Sequence, residues 1–159
     1  SNLFNQLINL PAPKVIDADG LRFLKPEHLN SNDVITPHPL EAARLLDCSV
    51  QEIQADRLKA ALALNQTYGA VAILKGSGTV IANDQSTLIC PYGSDALATA
   101  GSGDVLAGMI AGLMAQGHGA MQAAQLAALW HAITGEKSRQ RICLTASGIL
   151  DELHLHLPA

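Results

Sequence analysis

The segment Ala70-Val71-Ala72-Ile73-Leu74 constrains the fold most: the run is apolar throughout and is followed at once by Lys75 and Gly76. A strand with one wet face alternates apolar and polar residues, so an unbroken apolar run suits a strand covered on both faces. Helical patterns flank it to supply the cover. Upstream, Leu40 to Leu46 and Val50 to Tyr68 carry apolar residues at helical spacing, with Ile53, Leu58, Leu62 and Leu64 among them. Downstream, helices are expected from about Gly103 to Ala115, Ala120 to Gly135 and Ala146 to Leu157. Lys14 to Asp19 and Asp33 to Pro37 read as further short strands, the second stopped by prolines that cannot donate to a ladder. Two more, near Thr79 to Ala82 and Ser86 to Cys90, are joined by an Asn83-Asp84 turn. Strands alternating with helices predict an α/β domain of three layers, αβα, with a mostly parallel sheet.

With 159 residues, 48% of them apolar, the chain has the length of one domain and enough apolar material for a real core. Its net charge of -4, without a Lys/Arg cluster, leaves no footprint for nucleic acid or an anionic membrane, so an anionic ligand has to be met by a local site. The apolar stretch Ala96 to Ala115 contains Gly108-x-x-x-Gly112, but Gly101, Gly103 and Asp104 interrupt it. What remains is far short of the roughly 20 residues that a membrane span needs. Cys48, Cys90 and Cys143 are widely spaced, fit neither a disulfide framework nor a zinc site, and read as small buried hydrophobes in a reducing cytoplasm. Ser1 to Gln6 shows no signal-peptide pattern.

The most informative segment is Leu97 to Gly108, where Gly101-Ser102-Gly103 leads into a helix. Glycines let the backbone approach a ligand, and the first N–H groups of a helix lack intrahelical acceptors, so Ala100 to Gly103 read as an anion hole. Asp104 falls in the first turn, where negative charge is favoured and where a carboxylate could accept a proton from an attacking hydroxyl. The structural alternative is Ser102 as a cap, Asp104 as a dipole partner and glycines for packing. Lys75-Gly76-Ser77-Gly78-Thr79 stands at a strand's carboxyl end, where open α/β sheets bind ligands, although it is not a P-loop. His38, fixed between Pro37 and Pro39, is either a ligand-positioning group or part of a helix-entry turn. Asp17 and Asp19 divide between turn roles and function. His154 and His156 would face different sides of a helix, His28, His118 and His131 lack spaced partners, and no metal ligand is assigned.

Taken in order, Val15 to Leu21, Ile35 to Glu41, Leu74 to Thr79 and Ala98 to Gly108 resemble the motif series of the ADP-dependent NAD(P)H-hydrate dehydratases, within the ribokinase-like superfamily. The resemblance runs from about Val15 to about Leu150. Leu40 stands where the family usually has Gly, and Cys90-Pro91-Tyr92-Gly93 departs from an Asn-containing loop. The resemblance implies that residues 1–159 are the C-terminal portion of a single such domain that lacks its N-terminal part.

It further implies nucleotide-dependent dehydration of hydrated NADH or NADPH, a cofactor-repair lyase activity. The ring hydroxyl would be phosphorylated and phosphate eliminated, with ADP or ATP as donor and Mg²⁺ accompanying the phosphates. Lys75, Gly76, Ser77, Gly78, Thr79 and Gly103 would hold the nucleotide, His38 and Asp104 would contact the hydrated ring, and Asp104 would be the catalytic base. The expected setting is cytoplasmic, as a homo-oligomer. The alternatives are a ribokinase-like kinase for a vitamin precursor or sugar, and a nucleotide-binding module without turnover.

Overall fold

The computed structural model describes residues 2–138 and 145–156. Its centre is a sheet of five strands in sequential order: β1 (Val15–Ile16), β2 (Val34–Ile35), β3 (Val71–Leu74), β4 (Val80–Ala82) and β5 (Thr87–Ile89). The pairs β1–β2 and β2–β3 are parallel, while β3–β4 and β4–β5 are antiparallel, so the sheet is mixed and its parallel part is β1 to β3. All of β3 is buried, as its unbroken apolar run requires. The antiparallel hairpin turns on Asn83, whose side-chain oxygen accepts from the N–H groups of Gln85 and Ser86.

Alternation along the strands sorts side chains into two cores. Ile35, Ala72, Leu74, Val80 and Ala82 face α2 (Pro39–Leu45), α3 (Val50–Ala55) and α4 (Arg57–Tyr68). Val34, Val71, Ile73 and Ile81 face α5 (Ser102–Ala115) and the alanine-rich α6 (Ala120–Lys137). The αβα layering is therefore present. The first helix, α1 (Asn2–Ile8), precedes the sheet and sets Phe4 against Phe23, and the last, α7 (Ala146–Leu153), packs on α5 through Ile149 and Val105.

One expected element divides. The single helix over Val50 to Tyr68 breaks at Asp56, whose backbone (φ -147°, ψ 86°) leaves the helical region and whose carboxylate caps α4 by accepting from Lys59 N–H. Asp competes for backbone N–H groups better as a cap than in a helix interior. α7 ends at Leu153, and the expected end at Leu157 lies outside the described residues, as does Cys143. Of the other cysteines, Cys90 is buried and Cys48 half-buried. No helix among the described residues is long and apolar enough to cross a membrane.

Candidate functional site

The carboxyl ends of the three parallel strands are followed by Asp17, Pro37-His38 and Lys75, and Asp17 and Lys75 meet the start of α5. The Lys75 N–H donates to the Pro37 carbonyl at 2.9 Å, which extends the β2–β3 ladder to the edge of the His38 loop. The Lys75 ammonium meets Asp17 Oδ1 at 2.6 Å, so the pair spans the end of β2 and ties β1 to β3. A Cβ on Gly103 would stand 3.3 Å from Lys75 Nζ and 3.5 Å from Asp17 Oδ2. Both charges thus abut the first turn of α5.

That turn is reached through Gly101, at φ +84°, a left-handed conformation that a side chain disfavours. Gly101, rather than Ser102, is the cap residue, and no side chain caps the helix. The first intrahelical bond is from Val105 N–H to the Gly101 carbonyl, so the N–H groups of Gly103 and Asp104 precede it and remain donors of the kind that hold anions. Ala100 is exposed in the turn before the helix, and the Asp104 carboxylate is exposed with its Oδ2 3.9 Å from the Cβ position of Gly101.

Ser102 takes another role. Its hydroxyl shares a 3.2 Å hydrogen bond with His131 Nε2, inside the protein between α5 and α6. Burial pushes the His131 imidazole down from 6.5 to about 4, against a smaller opposing effect of its hydrogen bond to Ser102. The folded state therefore prefers the neutral ring. The stability this provides is complete above about pH 6.5 and is lost as pH falls toward 4, amounting to about 3 kcal/mol in all. Urea unfolding between pH 7.5 and 4.5 should show this loss, and His131→Asn should flatten it. Parallel pH profiles for the two proteins would remove His131 as the titrating group.

The Lys75 to Thr79 segment is a tight turn with Gly76 at φ +141° and Gly78 at φ +66°. Sequence reasoning missed what fixes it. Arg57, the first residue of α4, donates through Nη2 to the carbonyls of Leu74, Lys75 and Gly78 at 3.1, 3.3 and 3.4 Å. Burial lowers the pKa of this guanidinium. A Cβ on Gly76 would approach Arg57 Nη2 to 3.1 Å, so the glycine makes room for the clasp. Thr79 Oγ1 donates to the Gly76 carbonyl at 3.1 Å, and Ser77 is exposed.

His38 begins α2: its Nδ1 accepts from the N–H groups of Leu40 and Glu41, while Glu41 returns a carboxylate to the His38 N–H at 2.8 Å. The helix-entry role expected of it is thus realised, with Nε2 at 3.4 Å from Glu41 Oε1. Asp19 stands apart from this cluster, exposed and 3.5 Å from Arg22. His131, for which spacing offers no metal-ligand partner, instead meets Ser102, a residue too distant in sequence for spacing to signal. Two cavities of about 400 and 430 Å³ are present, one beside Asn65 and Asp84 at the far end of β3 and one bordered by Glu41, Arg44 and Tyr68.

The profile of the NAD(P)H-hydrate dehydratase family matches residues 1–154. The chain belongs to this family. A bifunctional NAD(P)H-hydrate repair enzyme of Vibrio cholerae is 41% identical over 157 residues, covering 95% of this chain and 31% of its own length. An ADP-dependent (S)-NAD(P)H-hydrate dehydratase of Neisseria meningitidis is 37% identical over 149 residues, covering 89% of this chain and 50% of its own length. The crystal structure of the Bacillus subtilis ADP/ATP-dependent NAD(P)H-hydrate dehydratase, co-crystallised with ATP/Mg²⁺, superposes with a TM-score of 0.87 at 29% identity, covering 95% of this chain and 56% of that one. The family assignment and the ribokinase-like three-layer fold expected from the motif series are both borne out. The chain spans about a third to a half of the length of these curated relatives.

Proposed function

We propose that this chain carries the phosphoryl-transfer machinery of an ADP- or ATP-dependent NAD(P)H-hydrate dehydratase, a lyase that repairs hydrated NADH and NADPH. The observation that carries this reading is the convergence of Lys75 and an uncapped α5 N-terminus at the carboxyl ends of the parallel strands, with Asp104 in the helix's first turn. Phosphoryl transfer asks a protein mainly for positioning and charge stabilisation, which backbone donors and a fixed ammonium supply. The family membership and the ATP/Mg²⁺ named for the Bacillus subtilis relative support the choice of donor.

In this reading the Ala100 to Gly103 backbone receives the transferring phosphoryl group. Lys75 and the Gly76, Ser77, Gly78 and Thr79 turn hold the nucleotide together with Gly103. Asp104 and His38 face the hydrated ring. Asp104 takes the proton from the ring hydroxyl as its oxygen bonds to phosphorus, and the nucleotide leaves one phosphate shorter. The ring C–O bond then breaks with loss of a ring proton, releasing phosphate and restoring the dihydronicotinamide. Hydroxide alone is a poor leaving group, which is why a donor is needed. Mg²⁺ would accompany the nucleotide's phosphates, whose oxygens are hard ligands suited to it.

The reading includes a cytoplasmic setting and a self-associating particle. Exposed Leu88 and Ile89 on the edge strand β5, a surface open to strand pairing, support the second. The test is the recovery of dihydronicotinamide absorbance from hydrated NADH or NADPH, using the product of the complete open reading frame. Recovery should require ADP or ATP. An equal rate without nucleotide would sink the mechanism, and turnover of a sugar or vitamin alcohol instead would convert the reading to that of a kinase.

A further inference from the structure

Asp17 has no place in the mechanism above, yet it makes the shortest described ion pair at the site, 2.6 Å to Lys75. Both side chains are mostly withdrawn from solvent, with 11% of Asp17 and 20% of Lys75 exposed, so screening by water is weak. One carboxylate oxygen holds the ammonium, and the other lies 3.5 Å from the Cβ position of Gly103. A negative charge therefore already stands at the positive end of α5, beside the residue whose N–H would bind phosphate.

We propose that Asp17 is the resident counter-anion of the phosphate seat, compensating Lys75 so that the seat does not grip the nucleotide's phosphates too tightly. This inference rests on the reading of that seat as a nucleotide-phosphate site. Two opposed effects decide the sign of its prediction. At an effective dielectric near 20, unit charges about 5 Å apart alter affinity by about 10²-fold, and Asp17 repels an incoming phosphate by that order. Against this, Asp17 anchors the flexible lysine chain, whose full release would cost at most about 30-fold. Repulsion is the larger effect. A neutral residue at this position should tighten anion binding, whereas loss of a merely structural carboxylate would weaken it.

The experiment is calorimetric titration of wild-type and Asp17→Asn proteins with ADP and with inorganic pyrophosphate at low ionic strength. Asp17→Asn should bind both about tenfold more tightly and lose more affinity as salt rises. In a Lys75→Met background the gain should persist, because the carboxylate repels the phosphate directly and no lysine chain remains for it to anchor. Asp17→Ser repeats the test without the amide. Equal or weaker binding by the neutral variants, in either background, overturns the proposal. Failure of both neutral variants to fold also overturns it, since the pair would then be a requirement of the fold. If neither wild type nor variant binds ADP or pyrophosphate, the seat itself is refuted. Absence of hydrate turnover by a protein that does bind nucleotide counts against the catalytic reading alone.

Discussion

Asp104→Asn should lower turnover of hydrated NADH or NADPH by about 10² to 10⁴-fold, the range associated with a positioned acid or base. The amide keeps the shape of the side chain and its place in the first turn of α5 but cannot accept a proton there. Asp104 is exposed, so the change removes no buried contact and should leave the melting temperature nearly unaltered. ADP affinity should stay within about threefold of wild type, because the expected phosphate donors are backbone N–H groups and Lys75. The check pairs the hydrate assay with ADP titration on the same preparation. Near-normal turnover would withdraw Asp104 as base.

A large loss of stability is expected from Gly101→Ala. Gly101 lies at φ +84°, and an added Cβ would stand 2.9 Å from the Cβ of Ala146 on α7. The left-handed backbone costs about 1–2 kcal/mol for a residue with a side chain, and overpacking adds about 1–3 kcal/mol. A total near 3 kcal/mol corresponds to a melting temperature lower by about 10 °C for a domain of this size. Gly108→Ala, on the same helix, is the matched control, since its Cβ meets no described atom within 4 Å. It should stabilise the protein by about 0.5–1 kcal/mol through helix propensity. Scanning calorimetry of the two variants decides the matter, and equal shifts would show that neither packing nor φ at Gly101 matters.

What the sequence made legible follows from the range of its signals. The burial of Val71 to Leu74 on both faces, the hairpin at Asn83 and the placing of Asp104 in a first turn all follow from patterns a few residues wide. The break at Asp56 was also readable, since Asp before a fresh helical run is a cap signal, but the apolar periodicity on either side masked it. The links that complete the site were not legible. Lys75 and Asp17 are 58 residues apart, Ser102 and His131 are 29, and Arg57 reaches carbonyls 17 to 21 residues away. Such partners become neighbours only after strands have been ordered in a sheet, and no local periodicity encodes that order. His38 shows the converse: its sequence setting suggests two roles, and the structure realises the helix-entry one, with Nδ1 accepting from the N–H groups of Leu40 and Glu41.

The Arg57 clasp bears on how portable the glycine loop is. The loop's conformation is held by a guanidinium that belongs to another helix and enters from the opposite layer of the sheet. A designer who transplants Lys75 to Thr79 into a new scaffold therefore moves the lock's keyhole without its bolt, and the graft must bring a cation on a neighbouring helix to satisfy the same three carbonyls. By the same logic, substitutions at position 57 of this protein would be inherited jointly with changes in the loop, as a single unit of variation drawn from two stretches of the gene.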